Sequence, residues 1–438
     1  MTIFDLPYWL ASCFVFVLGA IAGSFLNVCV YRIPKHQYVW PALKGLYSPP
    51  STCPRCRTRI SWRDNIPIFG WLMLRGRCRQ CRMWISPRYP AIELLNALLF
   101  LTLYWCEIPD GWPVKVAASS VFAEIGPQTI PGLGDLSPLT FLHLRYFYHL
   151  VLIESLMVAS FIDFDSREIP DASTLPAMAV GLIGGLLIAR VHIVPLWWQN
   201  PPQIFTFTRL FWPEWDTGDW AHSPDWFTTW PHLHGLLVSA VGLLVAGGVT
   251  WGVRLLGHFV LRREAMGFGD VILMAVIGSF LGWQPALMAF VLAPAFAIAG
   301  LPFQLLSKRE RYIPYGPYLS LGALAVLMAF DKLWSGTGTW RGVGSMFELG
   351  PLFLAFMLLM AVMFLFTLLL VQGFKSLIGL RDDDDELLDA WTAADQAQYV
   401  ASERVDHEFG LWRKPEWPGI PAGRGLLHHN HWRQNNRH

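Results

Sequence analysis

Three stretches of the chain hold residue types that do chemistry at spacings that suit it. The first is Phe161–Asp171, FIDFDSREIPD, which closes one apolar run, Tyr146–Ser160, and opens another, Ala172–Ala189. Asp163 and Asp165 therefore fall where a membrane-length helix stops, and Asp171 follows the Ile169-Pro170 step. A carboxylate at the edge of an apolar span is costly and marks a functional site by default. The second stretch is Gly267-Phe268-Gly269-Asp270, followed at once by VILMAVIGSFLG. Two acids at the mouths of two apolar helices suit hydrolysis by water. Held a few ångströms apart, they share one proton. The ionised member takes a proton from water, the protonated member donates to the peptide carbonyl, and the roles reverse as the amine leaves. Taken alone, Asp270 also reads as a helix cap. Asp165 and Asp171 rival Asp163, Asp165 as a partner for a helix end or water and Asp171 as a cap on the helix after it.

The third stretch carries metal chemistry. Cys53-Pro-Arg-Cys56 and Cys78-Arg-Gln-Cys81 are two CxxC knuckles with 21 residues between them. Four thiolates so placed close a tetrahedron round zinc. A four-cysteine shell leaves no open coordination position, so such a zinc is structural. Cys13, Cys29 and Cys106 lie in or near apolar runs and read as packing residues.

Composition decides what must position these groups. Of 438 residues 54% are hydrophobic and 15% charged, and the mean hydropathy is +0.38. Soluble domains are about a quarter charged, and apolar runs of about 20 residues recur here, the length that spans a bilayer. The expected fold is an all-α polytopic membrane protein of about 8–9 transmembrane helices with a small zinc-knuckle cytoplasmic domain. A net charge of +1 gives no field for nucleic acid. The 22 tryptophans suit membrane interfaces. Tyr8–Val30 reads as a first span, too long and lacking the basic leader of a cleavable signal.

The spans are expected at about Tyr8–Tyr31, Ala91–Trp105, Leu144–Asp163, Ala172–Ala189, Leu233–Leu256, Asp270–Gly282, Pro285–Leu306, Ile313–Phe330 and Phe347–Phe374. Small residues Gly19-Ala20 and Gly23-Ser24 permit close approach of the first helix to a neighbour. Asn27 suits an interhelical hydrogen bond. Arg32–Pro90 carries twelve Lys or Arg against one acid, Asp64, so this loop is expected on the cytoplasmic face, beside anionic headgroups. Basic residues after the later spans (Arg254, Arg262, Arg263, Lys308, Arg309 and Arg311) fall on that face too, as do both acid motifs. Gly132-Leu133-Gly134-Asp135 matches the pattern Gly-x-Gly-Asp as well, but no clear span follows it, and it reads as a turn.

The domain plan has four parts. Residues 1–106 hold the first helix, the zinc loop and the second helix. Residues 107–143 are an extracytoplasmic insertion. Residues 144–374 are expected to form the membrane domain that carries the acid pair, with a Trp-rich extracytoplasmic insertion at 190–232. Residues 375–438 are a cytoplasmic tail, with the acid run Asp382–Glu386 and a terminal His cluster, that reads as disordered.

These motifs together resemble the bacterial type IV prepilin peptidases, membrane aspartic proteases of the Gly-x-Gly-Asp class. GSFLNVCVYRIP at Gly23–Pro34 is similar to the family's first-helix signature. CPRC, NIPIFGWLMLRGRCRQC and ISPRYPAIELL are similar to its cytoplasmic loop. FIDFDSREIPD and MGFGD are similar to its two acid motifs, and YIPYGPYLSLGA, Tyr312–Ala323, to a later segment. The resemblance puts the first catalytic acid seven positions before Pro170, on Asp163, and the second on Asp270, with Gly267, Gly269, Asp165 and Pro170 in support. It implies removal of basic leaders from prepilins or pseudopilins on the cytoplasmic side of the inner membrane. It also implies N-methylation of the new N-terminus with S-adenosylmethionine, and pilus or secretion assembly proteins as partners. Glu93 reads either as a participant in that second activity or as a packing or interface residue. A peptidase without methyl transfer, and a non-proteolytic transporter or assembly scaffold using the acids as an ion site, are the competing readings. The two insertions, the 107-residue separation of Asp163 and Asp270, the ninth helix and the acidic tail depart from the family's plan.

Overall fold

The structure is a computed structural model. It describes residues 7–36, 38–53, 55–108, 128–130, 134–136, 138–196, 226–261, 266–306, 314–337, 340–344 and a few helical positions between 357 and 370. The chain divides into units 1–360 and 361–438, and the first holds both acids and the four cysteines. Trp197, Trp198, Trp212, Trp215, Trp220, the basic positions 262–263 and 308–311, most of the ninth expected helix and the whole tail lie outside the described residues.

The described chain is all-helical apart from two short hairpins. In order come α1 (Tyr8–Arg32), α2 (Val39–Tyr47), α3 (Phe69–Met73), α4 (Arg88–Glu107), β1 (Gln128–Ile130), β2 (Gly134–Leu136), α5 (Pro138–Ser166) and α6 (Asp171–Leu187). After these come α7 (Trp226–Thr229), α8 (Pro231–Leu261), α9 (Phe268–Leu281), α10 (Trp283–Leu306), α11 (Gly316–Ser335), β3 (Gly336–Thr337) and β4 (Trp340–Arg341). Among the described residues, five helices are long and apolar enough to cross a membrane: α1, α4, α5, α8 and α10. α6 and α9 are shorter apolar helices. The 14 residues of α9 reach only about 21 Å at 1.5 Å per residue, short of the roughly 30 Å hydrocarbon core. α5 starts at Pro138, earlier than its apolar run suggests. Asp135 lies in β2 of a two-stranded hairpin, paired with Thr129, so the discarded Gly-x-Gly-Asp match opens no helix.

Lipid tails are as apolar as leucine, so burial of apolar surface does not drive these helices together; close packing and hydrogen bonds do. The contacts follow the small residues. A Cβ at Gly19 would lie 2.8 Å from the Ala97 Cα, and one at Gly23 would lie 2.8 Å from the Glu93 Cα, so α1 meets α4 backbone to backbone. Gly242 and Gly278 join α8 to α9 in the same way, and Gly185 and Gly235 join α6 to α8. Polar side chains bridge helices, both at the bundle surface and inside it. Asn27 Nδ2 donates to the Tyr89 carbonyl at 3.2 Å, and Asn96 Nδ2 to the Gly19 carbonyl at 3.0 Å and to Glu154 Oε1 at 2.6 Å. The Tyr148 hydroxyl donates to the Gly181 carbonyl at 3.0 Å and the Ser279 carbonyl at 3.3 Å, tying α5 to α6 and α9. α9, buried along nearly its whole length, is the centre of the unit.

Candidate active site and four-thiol cluster

The last turn of α5 carries Asp163. The helix ends because Arg167 takes a left-handed conformation (φ 58°) while its N–H donates to the Asp163 carbonyl at 2.8 Å, a common way to close a helix. Pro170 then starts α6 from an extended conformation (φ −69°, ψ 140°), with Asp171 in the first turn and no side-chain cap. Asp171 is thus a first-turn acid beside the helix N-terminus, and not the cap that its position suggested.

Asp270 stands three residues into the N-terminus of α9, and its Oδ2 accepts the Gly267 N–H at 3.2 Å. The capping geometry is therefore real. It does not exhaust the residue, because Asp270 and Asp163 are both buried, 7% and 6% exposed, at one end of the bundle. The Asp163 charge is close enough to act on Asp270.

What brings the two acids together is the start of α11. The Gly316 N–H donates to Asp163 Oδ2 at 3.0 Å. The preceding residue, Tyr315, has its phenol pushed up to about 12, first by burial and then by the Asp270 charge. The Tyr315-Gly316 step thus meets Asp163 directly, and Ile169 links it to Gly269, the residue before Asp270. Ile169 fills the remaining space. A Cβ on Gly269 would lie 2.9 Å from the Ile169 Cβ, and one on Gly316 would lie 2.6 Å from Asp163 Oδ2 and 3.1 Å from the Ile169 Cδ1. Gly269 and Gly316 are thus glycines because anything larger meets a neighbour. Gly267 differs: a Cβ there would meet Asp270 Oδ2 at 3.5 Å, an ordinary contact, with the backbone in an extended conformation any residue adopts.

Two arginines brace the acid-bearing segments. Arg88, the first residue of α4, donates from Nη1 to Asp165 Oδ1 at 2.8 Å and from Nη2 to Asp165 Oδ2 at 2.6 Å, and its guanidinium stands 5.6 Å from the Phe161 ring. Arg254 of α8 donates from Nε to the Met266 carbonyl at 3.1 Å and stands 5.8 Å from the Phe268 ring. Phe161 and Phe268 each precede an acid by two residues. Asp165 is therefore spoken for by Arg88, which separates it from Asp163. Gly316, Ile169, Arg88 and Arg254 were not singled out as site residues from the sequence. Gly316 had a signal, the Pro-x-Gly-Pro at a helix start; the arginines had none beyond their charge.

The segment between α1 and α4 holds the other cluster. The Sγ atoms of Cys53, Cys56, Cys78 and Cys81 all lie within 4.8 Å of one another, and all seven cysteines are free of disulfides. Each knuckle is built alike. The Arg57 N–H donates to the Cys53 carbonyl and the Arg82 N–H to the Cys78 carbonyl, and both arginines are left-handed, φ 55° and 57°. The Thr52–Arg59 and Arg77–Trp84 bridges close the two loops. Sγ–Sγ separations are 3.6 Å for Cys53–Cys81 and 4.0 Å for Cys56–Cys78. A tetrahedron with zinc–sulfur bonds of about 2.3 Å has sulfur–sulfur edges of about 3.8 Å, so the four thiols fit a metal ion of that kind. Hydrogen bonds from Thr58 draw the Cys56 thiol down to about 6, and backbone N–H groups of Cys81 and Gln80 lower Cys78, whereas against the Met83 backbone hydrogen bond burial and the neighbouring thiols push Cys81 up to about 11. Glu93 does not join this cluster. Its Oε2 accepts the Ile68 N–H at 2.7 Å, fastening the segment to α4.

Comparison with known proteins places both parts. Residues 17–106 match the Bacterial Peptidase A24 N-terminal domain, and residues 221–303 match the Type IV leader peptidase family. The four cysteines fall in the first match and Asp270 in the second, while Asp163 lies between them. The "Type 4 prepilin-like proteins leader peptide-processing enzyme" of Escherichia coli O78:H11 is 31% identical over 323 residues, 70% of this chain and 90% of that protein. The "Prepilin leader peptidase/N-methyltransferase" of Aeromonas hydrophila is 30% identical over 345 residues, 74% of this chain and 93% of that protein. No solved structure matches. With its buried acids, its apolar helices and these relatives along most of its length, the chain belongs to the type IV leader peptidase family, as a multi-pass membrane protein.

Proposed function

We propose that this protein is a prepilin leader peptidase and N-methyltransferase, cutting on the cytoplasmic side of the bacterial inner membrane, with Asp163 and Asp270 as its catalytic pair. The observation that carries the peptidase reading is the burial of both acids around Ile169, which packs on Gly269 beside Asp270 and on Gly316, whose N–H holds Asp163. A substrate whose apolar helix lies in the bilayer brings its scissile peptide to this boundary. One carboxylate takes a proton from the attacking water while the protonated partner donates to the carbonyl oxygen, and the proton returns to the leaving amine. The Gly316 and Gly267 N–H groups hold the carboxylates in place. Gly269 admits Ile169 beneath the pair, and Pro170 fixes the turn that separates Asp163 from α6.

The finer plan agrees with this reading. The zinc segment and both acids share one end of the bundle, since Arg88 at the start of α4 grips Asp165 at the end of α5. Beside the five long helices we assign the shorter apolar helices α6 and α9, and α11, to the same bundle, and keep eight to nine spans as the working count. The 1–106, 107–143, 144–374 and 375–438 divisions stand as the working domain plan. Cys53, Cys56, Cys78 and Cys81 would hold a structural zinc, which supplies cross-linking and no reactive water. The methyl donor, S-adenosylmethionine, follows from the relatives' names and is given no place in the carboxylate site.

Purified full-length chain in lipid vesicles with a prepilin tests this directly. Mass analysis of the product, with and without S-adenosylmethionine, is expected to give leader loss in both and one added methyl only with the donor. A cut product never methylated identifies a peptidase alone. An uncut substrate, with proton or ion flux across the vesicle, identifies the transporter reading and removes this one.

A further inference from the structure

Helix α3 is an odd element for a polar segment. It is five residues long, and it presents Phe69, Leu72 and Met73 at 65%, 54% and 70% exposure. Their spacing, i, i+3 and i+4, puts all three on one face. The opposite face is anchored. Gly70 is buried against the Asp64-Asn65 backbone, and Trp71 Nε1 donates to the Ile85 carbonyl at 3.0 Å. The helix is also held at a fixed height. Its start is a strained γ-turn, with Ile68 at φ 64°, ψ −55° and the Phe69 N–H on the Pro67 carbonyl at 2.6 Å. That turn points the Ile68 N–H at Glu93 Oε2, 2.7 Å away. Glu93 is five residues inside α4 from Arg88, about 7.5 Å along the axis. With α4 as a span, α3 lies level with the headgroups and the first acyl carbons, not out in the aqueous phase.

We propose that α3 is an interfacial membrane anchor whose Phe69, Leu72 and Met73 face enters the inner leaflet and seats the four-cysteine segment on anionic lipid. Charge selects that occupant. Arg63 before the helix and Arg75 and Arg77 just after it are exposed, and the segment's one acid, Asp64, is already gripped by Arg79 at 2.9 and 3.1 Å through Nε. Such a rim suits anionic headgroups and repels a basic peptide leader. Trp62 and Trp84, both exposed, are the residue type that settles at this depth. The proposal rests on reading α1 and α4 as membrane spans.

The test is photo-crosslinking of the full chain in phosphatidylethanolamine and phosphatidylglycerol vesicles, with Phe69→benzoylphenylalanine or Met73→benzoylphenylalanine. Phe14→benzoylphenylalanine and Leu98→benzoylphenylalanine report on the exposed faces of α1 and α4, and metal content is measured on every variant. Lipid adducts at Phe69 and Met73 with yields like those at Phe14 and Leu98, falling when phosphatidylcholine replaces phosphatidylglycerol, are expected. Adducts at Phe14 and Leu98 but none at Phe69 and Met73, or adducts there only to an added prepilin peptide, overturn the anchor and leave the spans intact. No lipid adducts at any of the four overturn both. Should a substitution cost the metal, hydrogen exchange of residues 69–73 in the unaltered chain replaces it. Slower exchange on phosphatidylglycerol vesicles than on phosphatidylcholine supports the anchor, and equal exchange overturns it.

Discussion

Three glycines near the acids separate steric need from mere presence in a motif. Gly316→Ala puts a Cβ 2.6 Å from Asp163 Oδ2, and Gly269→Ala puts one 2.9 Å from the Ile169 Cβ. Neither neighbour has room to move, since Asp163 and Ile169 are both buried. A shift of about 1 Å in a catalytic group can cost about 10²-fold in rate, so each variant is expected to lose about that much in kcat with substrate binding little changed. Gly267→Ala meets only an ordinary contact and is expected to stay within a few-fold of the unaltered chain. Steady-state cleavage of a prepilin by the three variants checks this, and equal losses from all three would contradict the steric account.

Among the elements, the brace between α4 and α5 is the one with a measurable reach. Arg88 and Asp165 are 43% and 40% exposed, so their pairing contributes only about 0–1 kcal/mol to stability. Its effect on the site should be larger, because Asp165 is in the same turn as Asp163 and Arg88 also covers Phe161. Asp165→Arg alone is expected to lower kcat about tenfold with thermal stability nearly unchanged, on the scale of a brace acting by position. Arg88→Asp added to it is expected to restore part of the loss. Independent, additive losses in that double-mutant cycle would mean the two residues act apart. The same contact tells which parts of the site the sequence could disclose. Asp163, Asp270 and the four cysteines are visible because their types are improbable where they stand: acids at apolar edges, thiols in paired CxxC. Asn27 and the Gly19/Gly23 approach are visible for the same reason. Gly316, Ile169 and the bracing arginines are not, since their roles come from elements far apart in the chain meeting in space, as the separations of 77 for Arg88–Asp165 and 153 for Gly316–Asp163 show. The early start of α5 was hidden because apolar patterning marks where a helix is buried, not where its backbone bonding begins.

At the scale of the whole molecule, the four-thiol segment and the acid pair are separate devices joined through α4. Cys53→Ser removes one of four ligands and is expected to cut bound zinc sharply and loosen residues 53–85. Activity is expected to fall with it, in proportion to the loss of folded protein. Chelation of zinc from the unaltered chain should act the same way, read as metal content against cleavage; full cleavage by metal-free protein would show that the segment does not support the site. The acid pair answers to a different measurement. Asp163→Asn and Asp270→Asn, each made in the full chain and assayed with a prepilin in lipid vesicles, are expected to abolish leader removal while zinc content stays at the unaltered level. Near-normal cleavage by either variant would contradict the pairing of these two acids.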